Sequence, residues 1–481
     1  MTDAHADRDL DLAIIGAGVA GTAVARAIQR ARSDWAIALF ERTDRIGGRV
    51  RSMWVDGLDH PIELGGMRYL TSHPLVAGLV DSLGLPTHRF DTTDGADRSY
   101  LRGNVGAGGE DPDAGRGYDL PPSLRRRTAL ELVGTIFEQV VPGFDGLDHE
   151  GYVRRRANGR LLGRAVTDWA IGDVQEALLG SEGRRFVTDV FGYDSGMRLF
   201  CAPDHVEYLS GGGDPTAEAR TPDAGMERIP QELARQFEEA GGVVLLGRDL
   251  ESIAPHDTGL ILRFTNGESV AVARVVLAMP APALRVLASA SGMLRSPAFE
   301  GVFASVEPFP AMKLYQFYER AWWRPSVAGI RTTTDLPVRK IFYFDGAPGS
   351  RSALLAMYTD GRDVAPWASL YAGGGPGAAA PPAMAAEVDR QLRAAHPDVS
   401  DVPMPLGSAL MYWGADPHDV GWHFWRPGLN SDEVLLRAPQ PEPDVPVYLA
   451  NEAFSRGQGW VEGALEAAEA VVRRITGSAP R

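Results

Sequence analysis

The stretch DLAIIGAGVAGTAVARAI, residues 11–28, decides the fold class. Residues 11–15 form a short apolar strand that runs directly into Gly16, Gly18 and Gly21. Behind them Val19, Ala23, Ala27 and Ile28 recur near helical spacing. A second apolar run, WAIALFE at 35–41, completes a strand–helix–strand unit. In such a turn the first glycine allows the tight bend. The second lets the backbone approach a pyrophosphate, and the third lets helix and strand pack closely. Glu41 ends the second strand 20 residues past Gly21. That is where an acid binds the ribose hydroxyls of an adenine dinucleotide and repels a 2′-phosphate. The glycines alone are weak evidence; in register with strand, helix, strand and acid they are strong.

Glu41 leads into ERTDRIGGRV, which places Arg42, Gly47, Gly48 and Arg49 just beyond the second strand. A second glycine pair with an arginine lets backbone amides and a fixed cation meet further phosphate or flavin oxygens. An α/β protein with a Rossmann-like domain is therefore expected.

Length and composition bound the rest. The chain has 481 residues, 44% of them hydrophobic, enough for two or three domains. A formal charge of −15 argues against a nucleic-acid surface and against a polybasic membrane anchor. The runs Arg125–Arg127 and Arg154–Arg156 read as solvated helix faces. The opening MTDAHADRDL carries no secretory signal, and no apolar run reaches the roughly 20 residues that span a bilayer. A cytoplasmic location is the expectation. The lone cysteine, Cys201, excludes internal disulfides and a cysteine-rich metal site.

Residues 103–116 read as a Gly/Asp loop, about 120–200 as mostly helical, and 208–225 as a linker-like turn region. Residues 225–242 read as an amphipathic helix closed by Gly241 and Gly242. Two strand-like runs follow, with Asn266–Gly267 as a hairpin turn. Residues 373–382 are a low-complexity surface loop, and the C-terminus reads as strand, loop and alanine-rich helix.

Two features of the basic residues stand out. In IELGGMRYL, 62–70, a permanent cation, Arg68, sits in a tight turn among apolar neighbours. From these residues alone a surface arginine and a buried, functional one remain open. Of the 48 basic residues only Lys313 and Lys340 are lysine. Lysine can lose its proton when buried near other cations, which arginine cannot.

Taken in order, GAGVAG, ERTDRIGGRV, ELGGMR, GMERIP, VVLAMPAPAL, MKLYQFYERAWW, TTTDLPVRKIFYF and NEAFSRGQGWVEGAL resemble the flavin-dependent amine oxidase superfamily, and within it the L-amino-acid oxidases. The resemblance spans about residues 10–475 and is thin between about 95 and 205. It implies a fold class of α/β type. A Rossmann-like FAD-binding domain would be assembled from 9–75, 220–300 and 445–481. A mixed α+β substrate domain would take 76–119, 205–219 and 301–444, with a helical subdomain at 120–204.

The resemblance also implies residue roles. Gly16, Gly18, Gly21, Glu41, Arg42, Gly48, Arg49, Gly66, Met67, Arg68, Val244, Glu452, Gly459, Trp460 and Val461 would contact FAD. Arg68 would clamp the substrate carboxylate, with Tyr343 beside it; Phe342 and Tyr343 compete for the inward position. Lys313 would reach the flavin N5 edge through a water. Gly459 and Trp460 would wall the substrate pocket, and the Val461 amide would stabilise negative charge on the reduced flavin. Lys340 reads as surface. His73 reads as part of a helix start capped by Ser72 or Thr71, with Pro74 in the first turn.

DVGWHFWRPG has no cysteine where monoamine oxidases attach FAD covalently, so noncovalent FAD is expected. The implied activity is oxidative deamination of an L-amino acid with O2, giving the 2-oxo acid, ammonia and H2O2. The alternatives are an amine or polyamine oxidase, or an amino-acid 2-monooxygenase. The side chain stays open between aromatic and basic: Trp413, Trp422, Phe424, Trp425 and Trp460 would serve equally as pocket or core. The oligomeric state is open too, a homodimer being what relatives suggest.

Overall fold

The computed structural model describes residues 10–90, 97–210, 217–257 and 259–477. Its first sheet has five parallel strands in the order Val243–Leu245, Ile37–Phe40, Leu12–Ile15, Val275–Leu277 and Val447–Leu449. Leu12–Ile15 and Ile37–Phe40 are buried at every position, as the near-continuous apolar runs of a parallel sheet covered on both faces require. The helices Val19–Ala31 and Val461–Thr476 cover one face through Val24, Ile28 and Val471. A three-stranded antiparallel unit (Leu250–His256, Gly259–Phe264, Ser269–Val272) covers the other, and Phe264 stacks on Phe40 at 4.9 Å. Burying each such ring contributes about 1.5–3 kcal/mol.

A second, seven-stranded mixed sheet has the order Gly407–Trp413, Ala311–Tyr318, Ser352–Asp360, Lys340–Phe344, Arg331–Thr334, Arg98–Leu101 and Asn104–Gly106. Its two faces part cleanly. Met312, Leu314, Ile341, Tyr343, Leu354 and Met357 pack against the helix Pro382–Ala395. On the opposite face Lys313 and Lys340 both stand across from Tyr358, one on each side. The register slips at Ala356, between Met357 and Leu355, and this bulge lets the face alternate correctly on both sides of it.

Between the sheets' contributions lie the helices Ala129–Val140, His149–Asn158, Ile171–Phe191, Asp194–Arg198 and Ala202–Ser210. The first opens on a capping box between Thr128 and Glu131. Arg154 and Arg155 are solvated as expected, but Arg156 is not. It is buried against Asp204, Glu207 and Asp432, because a cation placed inside this layer must be paired. The expected linker at 208–225 is also corrected. Within it Ala219–Pro222 is a strand paired with Tyr69–Leu70 and Thr87–Arg89, so it braces the segment that follows Arg68; residues 211–216 lie outside the described residues. Residues 103–116 are likewise not all loop, since Asn104–Gly106 forms a hairpin with Arg98–Leu101. Among the described residues no helix is long and apolar enough to cross a membrane.

Candidate active site

A cavity of about 480 Å³ runs from the first glycine loop to the seven-stranded sheet. At one end the backbone is packed too closely for side chains. A Cβ on Gly21 would lie 1.9 Å from the Gly16 carbonyl oxygen, and Gly16 itself has φ +106° with its would-be Cβ 2.7 Å from Ala278 O. The second glycine pair meets the first: Gly47 N–H donates to Ala17 O at 2.9 Å, and a Cβ on Gly48 would lie 2.9 Å from the Gly18 Cα. The helix Val19–Ala31 opens here without a side-chain cap, leaving an N-terminus suited to a phosphate. Glu41 lines the cavity and accepts from the Ala17 and Thr43 amides. Arg42 and Arg49 also line it. Backbone donors, a helix N-terminus, a carboxylate and fixed cations in one elongated cleft are the donor set that an adenine dinucleotide needs, and these residues fit one.

Val244 is not part of that lining. It is paired with Leu39 in the five-stranded sheet and packs into the apolar layer, and Arg248, Asp249 and Leu250 line that end instead.

The other end answers why Arg68 sits where it does. Three donors from the seven-stranded sheet hold the carbonyls just before it. Tyr315 Oη donates to Glu63 O at 3.1 Å, Trp413 Nε1 to Leu64 O at 2.8 Å, and Lys313 Nζ to Glu63 O and Gly65 O at 3.1 and 2.5 Å. Met67 Sδ lies 3.5 Å from the same amine. The segment is thus fixed along its length, and Arg68 emerges half-buried over the rings of Phe90 and Phe342, at 4.9 and 5.7 Å. Among the described residues no carboxylate pairs with it. Its charge reaches Lys313, Tyr358, Tyr193 and Tyr208.

Lys313 is buried on the second strand of its sheet. Burial pushes its pKa down to about 7; Glu63 opposes this and Arg68 adds to it. Glu63, buried beneath, is pushed up to about 8 by the same desolvation. The Lys313 ammonium also stands 4.7 Å over the Tyr358 ring.

Three expectations are corrected here. Tyr343 points away from the cavity, and its hydroxyl is bonded to Thr332 Oγ1 and His396 Nε2 at 2.6 and 2.7 Å within the rear core. The strand's period of two turns its neighbour Phe342 toward Arg68 instead, and the tyrosine that lines the cavity is Tyr358. Lys340 is not on the surface: it is 8% exposed, its amine lies 4.1 Å over the Tyr193 ring, and burial lowers its pKa well below the usual lysine value. His73 is itself the cap position of the helix Pro74–Ser82 and makes no side-chain cap bond. The amides of Leu75 and Val76 donate instead to Glu462, at 3.0 and 2.8 Å.

The C-terminal block closes the cavity. Glu452 is buried and accepts from the amides of His423 and Gly459, at 3.1 and 3.2 Å, while Arg49 pairs with it at 2.6 Å. Burial would raise its pKa; the Arg49 guanidinium and the His423 ring overcome that and hold it well below the usual carboxylate range. Asn451 caps the short turn Glu452–Phe454 through its Oδ1 and ties it to Met279 O through its amide nitrogen. Gly459, Trp460 and Val461 line the cavity, with Val461 at the first position of the last helix. Of the aromatic residues, Trp413, Trp422 and Trp460 line it too, whereas Phe424 and Trp425 belong to the core. Tyr358, Tyr193 and Tyr208 are the residues the sequence reading passed over. The arginine-biased composition did flag Lys340, but nothing local placed it inside.

A dinucleotide cradle joined to a cavity lined by aromatic rings and one buried lysine, with an arginine beside it that has no carboxylate partner among the described residues, is the arrangement of a flavoprotein oxidoreductase. The chain belongs to the flavin containing amine oxidoreductase family, whose model matches residues 19–476. It is 28% identical to aplysianin-A of Aplysia kurodai over 98% of this chain and 91% of that protein. It is 27% identical to achacin of Lissachatina fulica (97% and 93%). With the flavin-dependent L-tryptophan oxidase of Lentzea aerocolonigenes the identity is 26% (96% and 97%). Among solved structures, cyclohexylamine oxidase from Brevibacterium oxydans superposes with a TM-score of 0.73 at 20% identity, covering 98% of this chain and 99% of that one. A putrescine oxidase bound to putrescine gives 0.72 at 15% (98% and 100%).

Proposed function

We propose that this protein is an FAD-dependent L-amino-acid oxidase that binds its cofactor without a covalent bond. The observation that carries the reading is Arg68: a guanidinium held in place by the sheet beneath it, beside the cavity, with no carboxylate partner among the described residues. A planar fork of donors suits a substrate carboxylate, and its fixed charge survives desolvation. The Tyr358 hydroxyl, close enough to feel the Arg68 charge, donates to the same carboxylate.

The substrate amine must lose a proton before it can be oxidised. The Lys313 amine, with its pKa lowered to about 7, holds or passes that proton near neutral pH. Trp422 and Trp460 exclude water from the reacting carbon. A bound flavin supplies the two-electron acceptor, which O2 then reoxidises with formation of H2O2. The imine product hydrolyses to a 2-oxo acid and ammonia. The one cysteine, Cys201, is buried with its thiol toward Thr167 O, away from the cavity lining, which supports noncovalent attachment. We assign the cofactor to 9–75, 220–300 and 445–481, the segments that bear the five parallel strands.

The test is a peroxide-coupled screen of purified, yellow protein against L-amino acids, D-enantiomers and simple amines. Peroxide from L-amino acids alone supports the reading. Turnover of amines that lack a carboxylate overturns it in favour of an amine oxidase. Consumption of O2 without peroxide indicates a monooxygenase.

A further inference from the structure

Of the three tryptophans that line the cavity, Trp422 and Trp460 each spend the indole N–H, a donor only, on a hydroxyl of the helical layer. Trp422 Nε1 donates to Ser195 Oγ at 2.8 Å; Trp460 Nε1 donates to Tyr208 Oη at 2.7 Å. Both acceptors are themselves fixed. The Ser195 hydroxyl donates to Asp360, whose carboxylate also receives the amides of Asp194 and Ser195 at 2.9 and 3.0 Å. A carboxylate accepts only, so the serine proton is committed to it and the serine lone pairs face Trp422. The Tyr208 ring is held between Phe200 and Phe424, at 5.6 and 5.8 Å. Tyr193 stands edge-on to Trp422 and Tyr358, at 6.2 and 5.4 Å, and the Lys340 amine supports its ring.

The result is a slot with flat aromatic walls whose planes are set by hydrogen bonds from one short segment, 193–208. Arg68 brings a permanent positive charge to this region, and the carboxylate behind it, Asp360, is engaged by the Ser195 hydroxyl and two amides, which disfavours a cationic side chain. We propose that Ser195 and Tyr208 are positioning residues that fix the Trp422 and Trp460 planes, and that the slot so formed selects an aromatic L-amino acid. This rests on the reading of Arg68 as the carboxylate clamp.

The experiment compares S195A, S195T, Y208F, W422F and S195A/W422F with the parent holoenzyme. Two readouts are taken: the ratio of kcat/KM for L-tryptophan or L-phenylalanine to that for L-alanine, and the intrinsic tryptophan emission. S195A and Y208F should lower the ratio about tenfold, the worth of one buried hydrogen bond, while S195T restores it. S195A should also shift the emission, and that shift should vanish in the W422F background, with flavin content unchanged throughout. A ratio unchanged in both single variants, or an emission shift that persists without Trp422, overturns the proposal. So does parent selectivity for basic or small side chains. Turnover of amines alone would remove the Arg68 reading and the amino-acid assignment with it. The emission cycle would still decide whether the hydroxyls hold the indoles. Should S195A fail to fold, Y208F carries the same test at Trp460.

Discussion

The two ends of the cavity are built by opposite means. At the cofactor end the chain removes side chains: glycines bring two loops into backbone contact and leave amides and a helix N-terminus facing the cleft. At the substrate end the chain adds them, and each functional group is placed by a partner distant in sequence. Lys313 and Trp413 lie about 250 and 350 residues past the carbonyls they hold, and Trp422 and Trp460 are each more than 220 residues from their hydroxyls. A backbone cradle leaves no room for a Cβ at Gly16, Gly21 or Gly48. A side-chain wall can be altered one contact at a time.

The sharpest way to break this contrast is G21V. Its Cβ would overlap the Gly16 carbonyl, so the variant should purify with flavin absorbance near zero. A fully loaded G21V would show that the cradle has slack. Next in size is Arg68→Met, expected to lower kcat/KM for L-amino acids roughly 100- to 1,000-fold by removing two charge-assisted hydrogen bonds. Arg68→Lys should be intermediate, and flavin content should not change in either.

Lys313→Met should alter the pH profile more than the affinity. The amine is neutral above about 7, so kcat/KM for the parent should rise as pH passes upward through that value. The limb should flatten in the variant; a limb that stays would exclude Lys313 as its source. The smallest effect is expected of Tyr343→Phe. Its hydroxyl serves only the rear core, so KM should stay within about twofold while thermal denaturation shows a loss of about 1 kcal/mol. A large change in KM would return Tyr343 to the site.

What could be read in advance follows the same division. Glycine spacing and apolar runs are local, so residues 11–50 carry the signature of two parallel strands, the helix between them and the acid at 41. The seven-stranded sheet was not legible as such: a mixed α+β domain was all that 301–444 implied, and its edge strand Asn104–Gly106 read as loop. Which of Phe342 and Tyr343 faces in depends on a period-two register, and a bulge at Ala356 in the partner strand shows how easily such a count slips. Arg156 and Lys340 read as solvated because their counter-charges and ring partners lie elsewhere in the chain. Ser195 and Tyr208 carried no signal at all. A hydroxyl becomes informative only once an indole is known to point at it.

The five-stranded sheet has one more consequence, in time rather than space. Its second and fifth strands, Ile37–Phe40 and Val447–Leu449, lie at opposite ends of the chain, and Leu12–Ile15 and Val275–Leu277 join them in the centre. At about 5–20 residues per second, a ribosome needs roughly 20–80 s to pass from one to the other. Until residue 275 is made the unpaired edge is Leu12–Ile15, and from then until Val447 it is Val275–Leu277, while most of the seven-stranded sheet emerges. The nucleotide cleft therefore cannot close around a ligand until the last 35 or so residues are made. A ribosome stalled before Val447 would hold a chain with most of its substrate wall but without Asn451, Glu452, Gly459, Trp460 and Val461 of the cavity lining.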